Sequence, residues 1–316
     1  MVNLGNETTK IRKILDDMIK NSSAKHVAFS GGLDSSIITS HLRGPEKNGL
    51  AVVCDDFIAN DLTYAQISAK YLGLNLEILH VNTERLLDVI EDTISILGNF
   101  NDIEIRNSIV MYLALDELKK SGAKTVLTGD GADELFAGYS FLINKSEHEL
   151  ENELTRIRKI MHYTSNKIAG FLGIKIEQPF LDNEVIEYAE NIPVSLKVNE
   201  KNGKRYGKWI LRIAYENNLH NSIVWREKSA MQDGSGTSGL TNFFDSIITD
   251  DIFNDKIELI KKNDNVRLRS KESLHYYEIF REKFKIKPKN GHSCNDCGNK
   301  LAEDARFCRM CGKFPI

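Results

Sequence analysis

The chain is 316 residues long with 41% hydrophobic residues, enough for one large domain plus additions or two modest domains. A formal net charge of −3 excludes a global electrostatic drive toward nucleic acid or membrane, so any nucleic-acid contact must come from a local basic patch. The polar start from Asn3 to Lys10 has no apolar h-region, and no apolar run is long enough to span a bilayer; the expectation is a soluble, cytoplasmic protein without a signal peptide.

In chain order, apolar spacing predicts a first helix over 7–20, then a short strand at His26–Phe29 ending in a glycine turn and a helix over 35–42. Leu50–Asp55 reads as a strand, Asp61–Leu72 as a helix capped by Asp61, Leu76–Val81 as a strand and Thr83–Leu97 as one helix. A helix over 109–121 and a strand over 125–128 follow. Strands alternating with helices of this length predict an α/β fold: a parallel sheet with helices on both faces and ligands at the carboxyl ends of its strands. Beyond Tyr139 the pattern turns helical, with helices expected over 147–172, 183–191, 208–217 and 270–285. A basic linker with Pro and Gly, 285–291, divides a domain over 1–288 from a ribbon module over 289–316.

Ser30-Gly31-Gly32-Leu33-Asp34-Ser35-Ser36 joins the first strand to a helix. Glycines let backbone approach oxyanions, the first helical turn offers free N–H groups, serines add donors, and Asp34 can hold Mg²⁺ against phosphates. No Gly-Lys-Ser/Thr ending follows, so this is not a Walker loop. Thr128-Gly129-Asp130-Gly131-Ala132-Asp133-Glu134 ends another strand with three acids among glycines, an arrangement that calls for a cation; a solvated acidic loop is the bland alternative. The cysteines divide unevenly: Cys54 stands alone, whereas Cys294, Cys297, Cys308 and Cys311 form two Cys-x-x-Cys-Gly knuckles. Four thiolates in that spacing predict a structural Zn²⁺ ribbon in a reducing compartment, with redox-active pairs as the other reading. Cys54 is either a buried structural thiol or a sulfur carrier.

The first of these runs resembles the PP-loop of the ATP-pyrophosphatases, the adenine nucleotide α-hydrolase-like fold that cuts ATP between its α and β phosphates. It is most similar to the asparagine synthetase branch. Five further segments are similar to that family in the same order: Ile105-Arg106-Asn107-Ser108 before Met111-Tyr112-Leu113, Thr128 to Tyr139, Pro179-Phe180-Leu181-Asp182, Lys208 to Arg212, and Trp225 to Gly234. The resemblance implies that Ser30, Gly31, Gly32, Asp34, Ser35, Thr128 and Gly129 bind ATP and that Asp34 and Asp133 share Mg²⁺. It implies that Lys208 stabilises charge at the α-phosphate and that Arg106 and Ser108 are candidate phosphate or substrate contacts, a helix-capping arginine being the alternative. Asp130 falls where the family often has a glutamate near the nucleophile, and its side chain is one methylene shorter. Lys175 and Glu177 reverse the family's charge order, which points to a different acceptor if they shape its pocket. Asn202 to Arg205 reads as a mobile basic flap and Asp233 to Gly236 as a flexible lid loop. Asp182 is expected to cap the next helix.

The expected activity is an AMP- and pyrophosphate-forming ligase that converts aspartate or a related carboxylate to an acyl-adenylate. No glutaminase domain is expected in the chain, so nitrogen comes as ammonia or from a separate donor subunit. Two other readings stay open. One is a tRNA-modifying PP-loop enzyme whose ribbon contacts RNA, the other a nucleotide-sensing adaptor; the ribbon could equally dock a protein or stabilise the chain's end.

Overall fold

The structure, a computed structural model, describes residues 3–285 and 291–316; of the linker expected over 285–291, residues 286–290 lie outside the described residues. Five strands, β1 (His26–Ala28), β2 (Asn48–Cys54), β3 (Asn75–Val81), β4 (Thr125–Leu127) and β5 (Lys175–Glu177), form one parallel sheet in the order β3-β2-β1-β4-β5. β1 pairs in parallel with β2 and β4, and β4 with β5. The chain leaves β1 toward one edge and returns to its other side at β4, so the carboxyl ends of these two central strands form the switch point where such sheets bind ligands. The glycine-serine loop follows β1, and the acidic loop follows β4.

The described residues fall into two compact units, one comprising those within 3–53, 60–79 and 114–230, the other those within 54–59, 80–113, 231–285 and 291–316. In the first, Ile11, Leu15 and Ile19 of the amphipathic helix Leu4–Lys20 pack with Val27, Ile37, Leu127, Phe136, Phe180, Leu211 and Tyr215 in one core. A satellite core under residues 137–157 gathers Ala137, Leu142, Leu150, Leu154 and Val198. The second unit is helical, built on Thr83–Asp88, Ile90–Leu97, the start of Asp102–Lys120, Leu240–Ile247, Asp250–Asp264 and Lys271–Lys283. Its aromatic centre sets Phe100 against Tyr277 at 5.0 Å and Phe280 at 5.2 Å between ring centroids. Among the described residues, no helix is long and apolar enough to cross a membrane.

Several expected elements change shape for identifiable reasons. The helix expected over 83–97 breaks at Val89 into two, and that over 147–172 breaks across 161–163, where Met161 turns extended. The helix expected to begin at Ile109 starts seven residues earlier, at Asp102. Lys175–Glu177 is an unexpected strand, too short for a two-residue alternation to show. Asp61 makes no side-chain capping bond and instead pairs with Arg226. Asp182 does cap its helix, accepting from Glu184 N at 2.9 Å. The expected basic flap is a β-hairpin, β6 (Asn199–Lys201) and β7 (Lys204–Tyr206), turned by two left-handed residues, Asn202 (φ 53°) and Gly203 (φ 78°). Of the lid loop expected over 233–236, residues 233–235 lie in a short helix, Met231–Ser235, with Gly234 and Ser235 buried, and Gly236 follows it at φ 91°.

One buried charge in the first unit is costly. Lys197 is 3% exposed, its carbonyl accepts from Trp209 N at 3.0 Å, and burial pushes its ammonium down to about 8. Between that value and the ordinary lysine range the unfolded chain holds the extra proton, so stability rises with pH there; below about pH 8 both states are protonated and the penalty is fully present. Denaturant midpoints of the wild type should therefore climb between about pH 8 and 10. Lys197→Met should flatten that slope and raise stability at neutral pH by on the order of 1–3 kcal/mol.

Candidate active site and metal centre

The loop after β1 is held by its own hydroxyls. Gly32 N donates to Ser30 Oγ at 3.3 Å, and Ser35 Oγ donates to Gly32 O at 3.3 Å. Gly31 adopts φ +68°, and a Cβ there would lie 2.3 Å from Ala65 N, so only glycine lets the loop press on the neighbouring helix. Gly32 caps Leu33–His41 without a side-chain hydrogen bond, leaving the first-turn N–H groups aimed at the cleft.

Asp34 and Asp133 face one ammonium. Lys208 Nζ donates to Asp34 Oδ2 at 2.6 Å and lies 2.7 Å from Asp133 Oδ1, while Lys228 Nζ lies 2.7 Å from Asp133 Oδ2. Burial pushes Asp133 up, but the Lys208 and Lys228 charges outweigh it and hold the carboxyl below the usual carboxylate range. Close backbone approach makes this cluster possible. Lys208 N donates to Phe136 O at 2.8 Å, and Lys208 (φ 56°) and Ala137 (φ 58°) both take the left-handed conformation, which costs about 1 kcal/mol or more each. A Cβ on Gly138 would fall 1.9 Å from Asp133 Oδ1 and 2.4 Å from Lys208 Cε. Arg212 then ties this helix to the next segment, donating to Gly207 O at 2.8 Å and Arg226 O at 3.0 Å.

The result is an open cleft of about 470 Å³ lined by the β1 loop, Asp61, Gly138, Lys208, Arg212 and residues 226–229. Asp34 Oδ1 is buried without a hydrogen-bond partner, and Asp133 Oδ1, though near Lys208, makes no well-directed hydrogen bond. Two buried carboxylate oxygens with unused lone pairs fit a hard divalent cation such as Mg²⁺.

The sequence model of the asparagine synthase family matches residues 26–155 and 144–296. The chain belongs to this family. It is 30% identical over 281 residues to an asparagine synthetase [glutamine-hydrolyzing] of Zea mays, covering 82% of this chain and 47% of that protein. It is 30% identical over 306 residues to asparagine synthetase B [glutamine-hydrolyzing] of Escherichia coli (strain K12), covering 89% and 54%. The chain thus spans about half the length of the curated relatives it matches.

Of the residues singled out from the family resemblance, Ser30, Gly32, Asp34 and Lys208 line the cleft together, and Asp133 is ion-paired to Lys208. Thr128 and Asp130 are joined by a 2.7 Å hydrogen bond just after β4. Asp130 Oδ2 also accepts from Ser165 Oγ at 2.7 Å and Gln178 Nε2 at 2.8 Å, two residues that no motif flagged. Beside them Tyr139 donates to Glu134 at 2.5 Å, and burial together with Asp133 pushes the Glu134 carboxyl up. Lys175 and Glu177 pair with each other at 2.6 Å, and Glu177 accepts from Ser22.

Arg106 lies in the second unit, buried, donating to Gln232 at 2.8 Å, Thr241 at 2.6 Å and Glu272 at 2.6 Å. Burial pushes Glu272 up despite the adjacent guanidinium. Cys54 is buried, and burial raises its thiol above the ordinary range.

The four cysteines of the tail converge. Cys294 and Cys311 Sγ are 3.7 Å apart, Cys297 and Cys308 Sγ 3.6 Å, and all four lie within 4.8 Å of one another. Sulfurs about 2.3 Å from one tetrahedral zinc are about 3.8 Å apart, so the set fits Zn²⁺ with all positions filled by protein. Each knuckle is turned by a left-handed glycine whose N–H donates to its first cysteine carbonyl, Gly298 to Cys294 and Gly312 to Cys308, both at 2.8 Å. The ribbon is bonded into its unit: Phe100 N donates to Met310 O at 2.9 Å, Arg267 N to Asp296 O at 2.7 Å, and Arg269 to Cys311 O at 2.6 Å.

Lys208→Met leaves two carboxylates without their shared cation and should cost about 3–5 kcal/mol in denaturant unfolding of the nucleotide-free protein; an unchanged midpoint would contradict the ion-pair geometry. Elemental analysis should find about one zinc per chain. Chelation should release it and lower the thermal midpoint, as should Cys308→Ser, whereas Cys54→Ser should not change the zinc content.

Proposed function

We propose that this chain is an asparagine synthetase-like ligase that uses ATP to activate a carboxylate, aspartate or a close relative, as an acyl-adenylate with release of pyrophosphate. Ammonia, free or delivered by a separate donor subunit, then displaces AMP. The observation that carries the reading is the Lys208 ammonium held between Asp34, just after β1, and Asp133, just after β4. A cation pinned between two acids at a sheet's switch point is poised to move onto a phosphate when another cation takes the acids.

In this reading Ser30, Gly31, Gly32 and Ser35 cradle the phosphates with backbone and hydroxyl donors, and Thr128 and Gly129 meet the nucleotide. Asp34 and Asp133 would hold Mg²⁺, which supplies charge neutralisation for the departing pyrophosphate. Lys208 stabilises charge that develops at the α-phosphate as the carboxylate oxygen attacks. Asp130 accepts the proton that the nitrogen nucleophile sheds. Arg106 enters this proposal as a support of the second unit, its Nε donating to Gln232 and its Nη1 to Thr241 and Glu272. We place the domain boundary at 288/289 and the protein in the cytoplasm, where a reducing environment keeps four thiolates on zinc. The hydrogen bonds from the ribbon to Phe100, Arg267 and Arg269 favour a structural role for that zinc over RNA or protein capture.

The test is a pyrophosphate-release screen with Mg·ATP, ammonium and the amino acids one at a time. Aspartate or one relative should stimulate release and be converted to its amide, and Lys208→Ala should reduce that rate by about a hundredfold or more. No stimulation by any free amino acid would refute the reading.

A further inference from the structure

We infer that Gln178 and Ser165 are positioning residues that aim Asp130 at the incoming nitrogen nucleophile; this rests on the adenylate-forming reading above. Asp34 and Asp133 are paired with lysines, whereas among the described residues Asp130 is held by neutral donors. Thr128 Oγ1, Ser165 Oγ and Gln178 Nε2 all reach the same oxygen, Oδ2, at 2.7, 2.7 and 2.8 Å. They come from three elements: the residue after β4, the first turn of helix Thr164–Leu172, and the residue after β5. Three donors on one oxygen fix both side-chain torsions and leave Oδ1 outside the clamp.

The polarity of the network is fixed as well. Gln178 Nε2 also donates to Ser165 Oγ at 3.2 Å, so the serine oxygen is an acceptor and its proton is committed to Asp130. Turning the amide over would set its carbonyl oxygen against the carboxylate, so only one orientation is stable. Oδ1 is then the oxygen through which Asp130 can take up a proton. Gly129 places the same loop against the nucleotide loop, since a Cβ there would lie 3.0 Å from the Asp34 Cβ. A shorter acid in place of the family's glutamate has less reach, and a rigid mount compensates by removing its freedom. In the step itself the nitrogen lone pair attacks the acyl carbon and the carbon–oxygen bond to AMP breaks. Its electron pair leaves on the AMP phosphate, and a nitrogen-bound proton passes to Asp130 Oδ1.

The decisive experiment separates the two half-reactions in Gln178→Leu and Ser165→Ala. Aspartate-dependent ATP–pyrophosphate exchange should stay within about twofold of wild type, while amide formation at saturating ammonium falls about ten- to a hundredfold through kcat, with KM for ATP unchanged. Ser165→Thr, which restores the hydroxyl, should recover most of the loss. Amide formation that stays normal in both variants overturns the inference, and so does a parallel fall in exchange, which marks a structural role. A wild type in which no amino acid supports ATP–pyrophosphate exchange removes the ligase reading beneath it; an active wild type with unaffected variants removes this inference alone.

Discussion

The contact on which the site depends is the Lys208 ammonium lodged between Asp34 and Asp133. Two carboxylates brought this close repel each other strongly unless a cation neutralises them, and the interior offers little water to screen them. Much of the local backbone serves that arrangement. The strand order sets the loops after β1 and β4 side by side, Gly138 leaves room for the acid and the lysine stem, and Lys208 and Ala137 accept left-handed conformations to bring their segments together. Local strain of this kind persists only where surrounding packing over-determines it, and here Phe136, Ile210, Leu211 and Phe180 are fully buried around it.

Neutral and charged acids are handled differently within a few residues. Asp133 is held ionised by two lysines, Glu134 is pushed toward its neutral form by burial and by Asp133, and Asp130 is gripped by hydroxyls and an amide. One short loop thus offers a cation-binding carboxylate, a tyrosine-bound carboxyl and a carboxylate with an uncommitted oxygen. That separation of environments is what lets adjacent acids take different chemical parts.

The second unit is knitted by longer-range polar contacts. Arg106, Thr241 and Glu272 join helices far apart in sequence, and the tail reaches back to Phe100, Arg267 and Arg269. A module this short cannot bury a core of its own, so hydrogen bonds to neighbouring backbone tie it to its unit, and its four converging cysteine sulfurs are a set that a metal would lock.

Much of the fold was legible in the sequence because its signals are local. Alternating strands and helices predict the parallel sheet, glycines and serines between β1 and its helix predict an oxyanion loop, and paired Cys-x-x-Cys-Gly knuckles predict four converging thiolates. Helix ends and breaks were less legible: Val89 and Met161 interrupt periodic runs through backbone turns that apolar spacing does not register. The sequence by itself determined the family, the acids and the lysine of the cleft, and the cysteine cluster. Only the tertiary structure decided that Arg106 donates to Glu272, Thr241 and Gln232, that Asp61 pairs with Arg226 instead of capping its helix, and that Ser165 and Gln178 converge on Asp130. These are contacts between side chains separated by tens to well over a hundred positions, and no local pattern encodes which long-range partner a polar group will meet once the core has closed.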